Sequence, residues 1–417
     1  MASSSPLSPS HIAELLSQDA CSIFLNSSGV TRVDSAQLPS NTPCEDRFNR
    51  AQPLPLWDGD TWTAATVFDG HGGWQTADHL EKNLLAAVQG SLNKLSPESR
   101  GDDSIRQAIA EAFAELDDSI INNYARFCGK DNREIRLAEK VRCMEVAMSG
   151  SCALLLLYNT TTRTLYTACT GDSRAVVSQQ MPDGSWPADA LSEDQKGTNE
   201  SEIARIRREH PNENEITKDG KVLGMAVTRA FGDFAYKERY ETQLELGQRF
   251  ATSRPYENHV IPTPPYLTAK PVVTVRKLRD ESPAIIIMAS DGLWDMCENY
   301  EAVDLVVRWL EAQPQQVLQE LRTEWTMTPE TVWWKKNPQP EAENTRGWDF
   351  LTRWHQFDVR FLPHRTVVKD LDNAAVHLMR NALGGNHEEL LTGRLAYGSP
   401  YARYVRDDIT VQVLFLF

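Results

Sequence analysis

The chain runs to 417 residues, room for one large domain or two ordinary ones, and its 41% hydrophobic and 24% charged residues belong to a folded soluble protein rather than a disordered or membrane-embedded one. With 43 Lys and Arg against 58 Asp and Glu the net charge is −15, a balance that repels phosphate backbones and anionic lipid and sets nucleic acid aside as a partner. Carboxylates gathered around divalent cations would account for part of that excess.

Residues 1–10, MASSSPLSPS, are rich in Ser and Pro and are expected to be disordered, with Ser8 or Ser10 as N-cap of a short amphipathic helix behind them. No Arg or Lys precedes Arg32, so this stretch reads neither as a secretory signal nor as an Arg-rich organelle leader. Apolar residues at helical spacing predict core-facing helices over 77–92 and, more strongly, 104–127. The acidic residues between them form a solvated face.

Apolar strand-like runs follow at 152–159, 164–172, 174–179, 271–278, 284–291 and 409–417, mostly joined by turn-rich segments. That pattern favours antiparallel sheets with helices packed outside, an α+β fold. Two stretches read as insertions into a single domain spanning 11–417. One, 234–268, is a charged helical piece followed by a Pro-rich tail; the other, 311–370, is rich in Trp, Pro and charge. The second either docks a partner or closes a small satellite core. The seven cysteines are scattered and never spaced C-x-x-C, which argues against a disulfide framework and a zinc knuckle and for a reducing compartment. No apolar run approaches the ~20 residues of a membrane span.

Three apolar runs end on an acid: TAATVF on Asp69, TLYTACTG on Asp172 and AIIIMAS on Asp291. A fourth, ITVQVLFLF, is opened by Asp407 and Asp408, and Glu45 and Asp46 lie just upstream of the first. In an antiparallel sheet the end of one strand lies beside the start of its neighbour, so these acids can gather on one rim. Any one of them is most simply a turn former or helix cap. Together they would repel strongly unless neutralised, and oxygen ligands without clustered Cys or His point to Mg²⁺ or Mn²⁺ rather than zinc.

The ordered motifs EDR (45–47), VFDGHGG (67–73), SGSCALLLL (149–157), CTGDSRAVV (169–177), ESEIARI (200–206), LGMAVTRAFGD (223–233), ASDGLWD (289–295) and RDDITV (406–411) resemble the metal-dependent serine/threonine protein phosphatases of type 2C. Within that family DSAQLPSNTPCEDR, TPPYLTAKPVVT, DNAAVHLMRNALGGN and the doubled acid of RDDITV resemble the pyruvate dehydrogenase phosphatases. The likeness implies a four-layer α-β-β-α sandwich and hydrolysis of phosphoserine or phosphothreonine by a water activated between two metals. Asp69 would bridge the metals, with Glu45, the Gly70 carbonyl, Asp291 and Asp407 completing the sites.

The same likeness makes His71 a general acid for the leaving oxygen, its alternative being a cap on the next helix. Asp46 would accept from water in the outer shell. Asp172 matches a third, weaker metal position, the alternative being a turn acid paired with Arg174; Asp295 would touch the outer shell. Arg229 and Asp233 would form an ion-paired support for the flap at 234–268. Asn41 stands where many members hold the substrate phosphate with Arg, implying weaker capture there and recognition shifted to docking surfaces. The implied substrate is the phosphorylated pyruvate dehydrogenase complex in the mitochondrial matrix, with a regulatory subunit or lipoyl domain as further partners. The same chemistry on another phosphoprotein, a cytoplasmic location and a silent phosphatase-fold scaffold are the alternatives.

Overall fold

The structure is a computed structural model describing residues 7–25, 29–57, 61–128, 134–213, 216–250, 262–280, 282–314, 349–354, 357–360 and 366–417. Two antiparallel sheets face each other and helices cover both outer faces, which gives the four layers expected. The six-stranded sheet runs in the order Cys21–Phe24, Arg32–Leu38, Ile409–Leu416, Ala284–Ala289, Arg174–Gln179, Asp189–Ala190. The five-stranded sheet runs Val272–Lys277, Thr164–Thr170, Ala153–Asn159, Trp62–Phe68, Arg47–Pro53. A small sheet joins the two-residue strands Phe231–Gly232, Gly150–Ser151 and Gly70–His71.

Because side chains alternate across a strand, a run with no polar interruption must have apolar partners on both faces. Along Ala284–Ala289, Ile285, Ile287 and Ala289 enter one outer core with Leu305, Val306, Leu378 and Met379 from the covering helices. Ala284, Ile286 and Met288 point the other way and meet Val67, Leu154, Leu156 and Leu165 between the sheets. The second outer core packs Ala153, Leu155 and Leu157 against Leu80, Leu84, Ile109 and Phe113. Each fully buried Leu, Ile or Val in these layers contributes about 1.5–3 kcal/mol.

The helix Gln75–Leu92 turns Ala77, Leu80, Leu84 and Val88 inward, one residue per turn. It lies over the sheet beside Asp102–Cys128, the second helix legible in the sequence. The first helix, Pro9–Ser17, is capped by Ser8, whose hydroxyl accepts from the His11 amide, so Pro9 and Ser10 are already helical; residues 1–6 lie outside the described set. Helices Leu137–Met148 and Glu200–Glu209 and strands Arg32–Leu38 and Arg47–Pro53 were not foreseen. RVDSAQL hides its strand because it buries charge: Arg32 Nε donates to Asp34 Oδ1 at 2.7 Å, its guanidinium lies 5.0 Å from the Trp309 ring, and Asp34 Oδ2 accepts from the Ala374 amide at the start of a helix.

The proposed flap begins as helices Phe234–Lys237 and Tyr240–Phe250; residues 251–261 lie outside the described set, as do 315–348 of the Trp-rich stretch. A hairpin of Asp349–Trp354 and Phe357–Arg360 is described within the latter. Among the described residues no helix is long and apolar enough to cross a membrane.

Candidate metal centre and active site

Both sheets deliver acids to one rim. Asp69 follows Trp62–Phe68 and Asp172 follows Thr164–Thr170, parallel strands separated by Ala153–Asn159. Asp291 follows Ala284–Ala289 in the other sheet, where Ala289 sits opposite Val411. One carboxylate oxygen from each of Asp69, Asp172 and Asp291 lies within 4.8 Å of the other two. Burial and mutual repulsion hold the Asp69 and Asp291 carboxyls well above the usual carboxylate range. Three converging oxygen donors fit a hard divalent cation, and no His or Cys belongs to the group.

Asp46 is buried beside them, and its Oδ2 accepts from the hydroxyls of Ser290 at 2.8 Å and Thr410 at 2.7 Å. Burial, then the charge of Asp408, push its pKa up to about 8 against those two hydrogen bonds. Asp408, read from the sequence only as a strand-opening acid, organises the loop that carries Glu45. Its Oδ1 accepts from the amides of Ser40 and Asn41, and its Oδ2 from the Glu45 amide at 2.8 Å. These amide bonds lead in holding its carboxyl below the ordinary value despite burial.

Asn41 donates its side-chain amide to Glu45 Oε2 at 3.0 Å and to Asp408 Oδ2 at 3.2 Å; the residue marked as a phosphate contact thus faces the loop acids. Asp407 stands apart from the three converging acids: it forms an ion pair with Arg403 and accepts from the Asp408 amide at 2.7 Å. Gly70 opens a strand pressed against the Glu45 carbonyl, where any Cβ would collide.

His71 is half-buried, and its Nε2 lies 2.7 Å from Asp233 Oδ2. The small sheet makes this contact: Gly150 pairs with His71 on one side and Gly232 on the other. A Cβ on Gly150 would strike both His71 Nε2 and Asp233 Oδ2. Burial disfavours the charged ring, but the charge and hydrogen bond of Asp233, helped by Asp172 and Glu45, win and raise its pKa. Asp233 is held in the left-handed region at φ 51°, which Asp tolerates better than most residues.

One sequence expectation is corrected here, and two alternatives fall away. Asp233 does not pair with Arg229: the guanidinium grips Glu202 through bonds of 2.9 and 2.6 Å, and Asp233 serves His71. Nor does Asp172 pair with Arg174, which forms a two-pronged contact of 2.8 and 2.7 Å with Asp194. His71 caps no helix, since Trp74 occupies the N-cap of Gln75–Leu92 and no side chain bonds there.

A protein-family model described as protein phosphatase 2C matches residues 38–327. A protein phosphatase 2C homolog of Schizosaccharomyces pombe is 33% identical over 97% of this chain and 84% of its own length. The mitochondrial pyruvate dehydrogenase (acetyl-transferring) phosphatase 1 of Saccharomyces cerevisiae is 33% identical over 94% of this chain and 70% of its own, and the Rattus norvegicus protein of that name is 28% identical over 93% and 78%. Among solved structures, a sex-determining protein of Caenorhabditis elegans superposes with a TM-score of 0.51 at 16% identity over 94% of this chain and 65% of that one, a likeness of fold.

Proposed function

The chain belongs to the protein phosphatase 2C family and is a protein serine/threonine phosphatase, and from that premise we propose that it is metal-dependent and acts on the phosphorylated pyruvate dehydrogenase complex in the mitochondrial matrix, using two cations, Mg²⁺ or Mn²⁺. The convergence of Asp69, Asp172 and Asp291 beside the His71–Asp233 pair carries the chemical part of this reading. The substrate and compartment are supported by the names of the relatives matched over nearly the whole chain.

Asp69, Glu45, the Gly70 carbonyl, Asp291 and Asp407 would hold the two cations, with Asp172 available to a third. When bound, the cations supply charge neutralisation and a water acidified toward neutrality. The remaining roles fall to this chain's own groups. With His71 Nε2 held by Asp233, the other ring nitrogen, Nδ1, presents a proton to the departing serine or threonine oxygen, a contribution of roughly 10²–10⁴-fold. Asp233 fixes the ring and favours its charged form. Asp46, anchored by Ser290 and Thr410, orients the attacking water through a hydrogen bond. The catalytic unit is taken as residues 11–417, with insertions at 234–268 and 311–370.

The test is metal-dependent phosphate release from intact phosphorylated pyruvate dehydrogenase complex, set beside a casein-like phosphoprotein and p-nitrophenyl phosphate. Strong preference for the complex is expected. Equal rates on both proteins would overturn the substrate assignment alone, and p-nitrophenyl phosphate turnover indifferent to Mn²⁺ would overturn the metal chemistry.

A further inference from the structure

Lys196 lies in a charged loop, SEDQKGTNE, that the reading above gives no task. Its ammonium lies 3.3 Å from Asp172 Oδ2, 3.8 Å from Asp295 Oδ1 and 3.9 Å from Asp194 Oδ2. The three acids are not equivalent partners. Asp194 is already gripped by both prongs of Arg174, so the lysine charge falls on Asp172 and Asp295. Asp172 is one of the three acids at the metal rim, and its other oxygen, Oδ1, accepts only a weak S–H bond from Cys152 at 3.3 Å.

The backbone keeps this ammonium in place. The Gln195 amide donates to the Gly171 carbonyl, and Gly171 donates to the Gln195 side chain, so the lysine is pinned beside the turn that carries Asp172. On its other side Lys196 bridges to Val227, and the Thr228 amide donates to the Gln195 carbonyl. A cation tethered this closely competes at high effective concentration with any free cation.

We infer that Lys196 is a built-in countercation that competes with a divalent ion for Asp172 and Asp295, keeping the outermost cation position weak while the inner pair fills. The inference rests on the metal-centre reading above and adds to it a residue that sets how many ions the site retains. A unit charge within about 4–6 Å shifts a neighbouring ionisation by 1–3 pKa units, about 10- to 1000-fold. A divalent ion beside the ammonium feels repulsion of at least that order.

The experiment counts bound Mn²⁺ by the loss of the free-ion electron paramagnetic resonance signal, in wild type, Lys196→Met, Lys196→Arg and the double variant Lys196→Met/Asp172→Asn. Folding of each is checked by circular dichroism. Lys196→Met is expected to bind its weakest ion roughly tenfold or more tighter than wild type. Lys196→Arg should stay near wild type because it keeps the charge, and the double variant should lose the gain. A Lys196→Met isotherm that overlays or falls below a normal wild-type isotherm overturns the inference and leaves the metal centre standing. Absence of Mn²⁺ binding in wild type overturns both, and a gain that survives Asp172→Asn overturns the assignment to Asp172.

Discussion

His71 and Asp233 are separated by 162 positions in the chain and by 2.7 Å in the fold, joined through two-residue strands that flank Gly150. Asp233→Asn removes the charge that favours the protonated ring. Activity on a phosphoserine peptide should fall by roughly 10²-fold, and much less on p-nitrophenyl phosphate, whose leaving group needs little help. The alkaline limb of the peptide profile should move to lower pH, because a raised His pKa keeps the acid form to higher pH. Stability follows the same sign: the pair stabilises fully below the ordinary imidazole value of about 6.5 and the gain is lost as pH rises through the raised folded value. Equal losses on both substrates would count against the acid role. Gly150→Ala should reproduce the defect by crowding both partners.

Stripping metal should expose the repulsion at the rim. Asp46, Asp69 and Asp291 all have folded pKa values above the ordinary range, so the unfolded chain ionises them first and the metal-free protein loses stability as pH rises from about 4 upward, through about 8 for Asp46. Thermal unfolding in chelator should show a lower Tm at pH 8 than at pH 6. Saturating Mg²⁺ should restore it, with about 2.7 kcal/mol gained at a hundred times Kd. A chelated Tm that climbs across this range would contradict the assignment.

Asp69→Asn and Asp291→Asn should each abolish metal-dependent turnover while the metal-free protein stays folded or gains stability, since each removes a buried charge from a repelling set. Substantial residual activity at saturating Mn²⁺ would remove that residue from the metal centre.

Glu202 gathers Arg229, Arg205 and the Thr228 hydroxyl around one carboxylate. Burial opposes its ionisation, but hydrogen bonds from both arginines carry its pKa down to about 2. Its stabilisation is therefore complete above about pH 4.3 and is lost as pH falls through the folded value. Glu202→Gln leaves Arg229 buried with half its partner and should cost roughly 3 kcal/mol in urea unfolding. A change under a third of that would show the pair to be dispensable.

Asn41→Arg tests the missing phosphate arginine. A guanidinium there should lower KM for a phosphopeptide, at the expense of the amide bonds that Asn41 gives Glu45 and Asp408. An unchanged KM would undercut weak phosphate capture as the meaning of this substitution.

The strands of the central layers were legible because burial on both faces writes an unbroken apolar run, as in AIIIMA, and the acids after them mark where each run leaves the core. RVDSAQL was not, because its Arg32–Asp34 ion pair is completed by the distant Ala374 amide, Asp372 carbonyl and Trp309 ring. Arg229 and Asp233, four positions apart, suggested a local pair; the left-handed backbone at Asp233 and the buried Glu202 send them in opposite directions. Asp408 was legible only as a strand-opening acid and Lys196 not at all, since their roles depend on amides and carboxylates from distant loops.

Ile409–Leu416 lies between Arg32–Leu38 and Ala284–Ala289. A ribosome delivers both neighbours before the strand that must separate them, so from residue 289 until residue 409 has been made the nascent sheet presents an open slot with unpaired backbone on either side. Hydrolytic competence cannot arise gradually under such an order, and a chaperone that shields the gap has a defined stretch of translation in which to act.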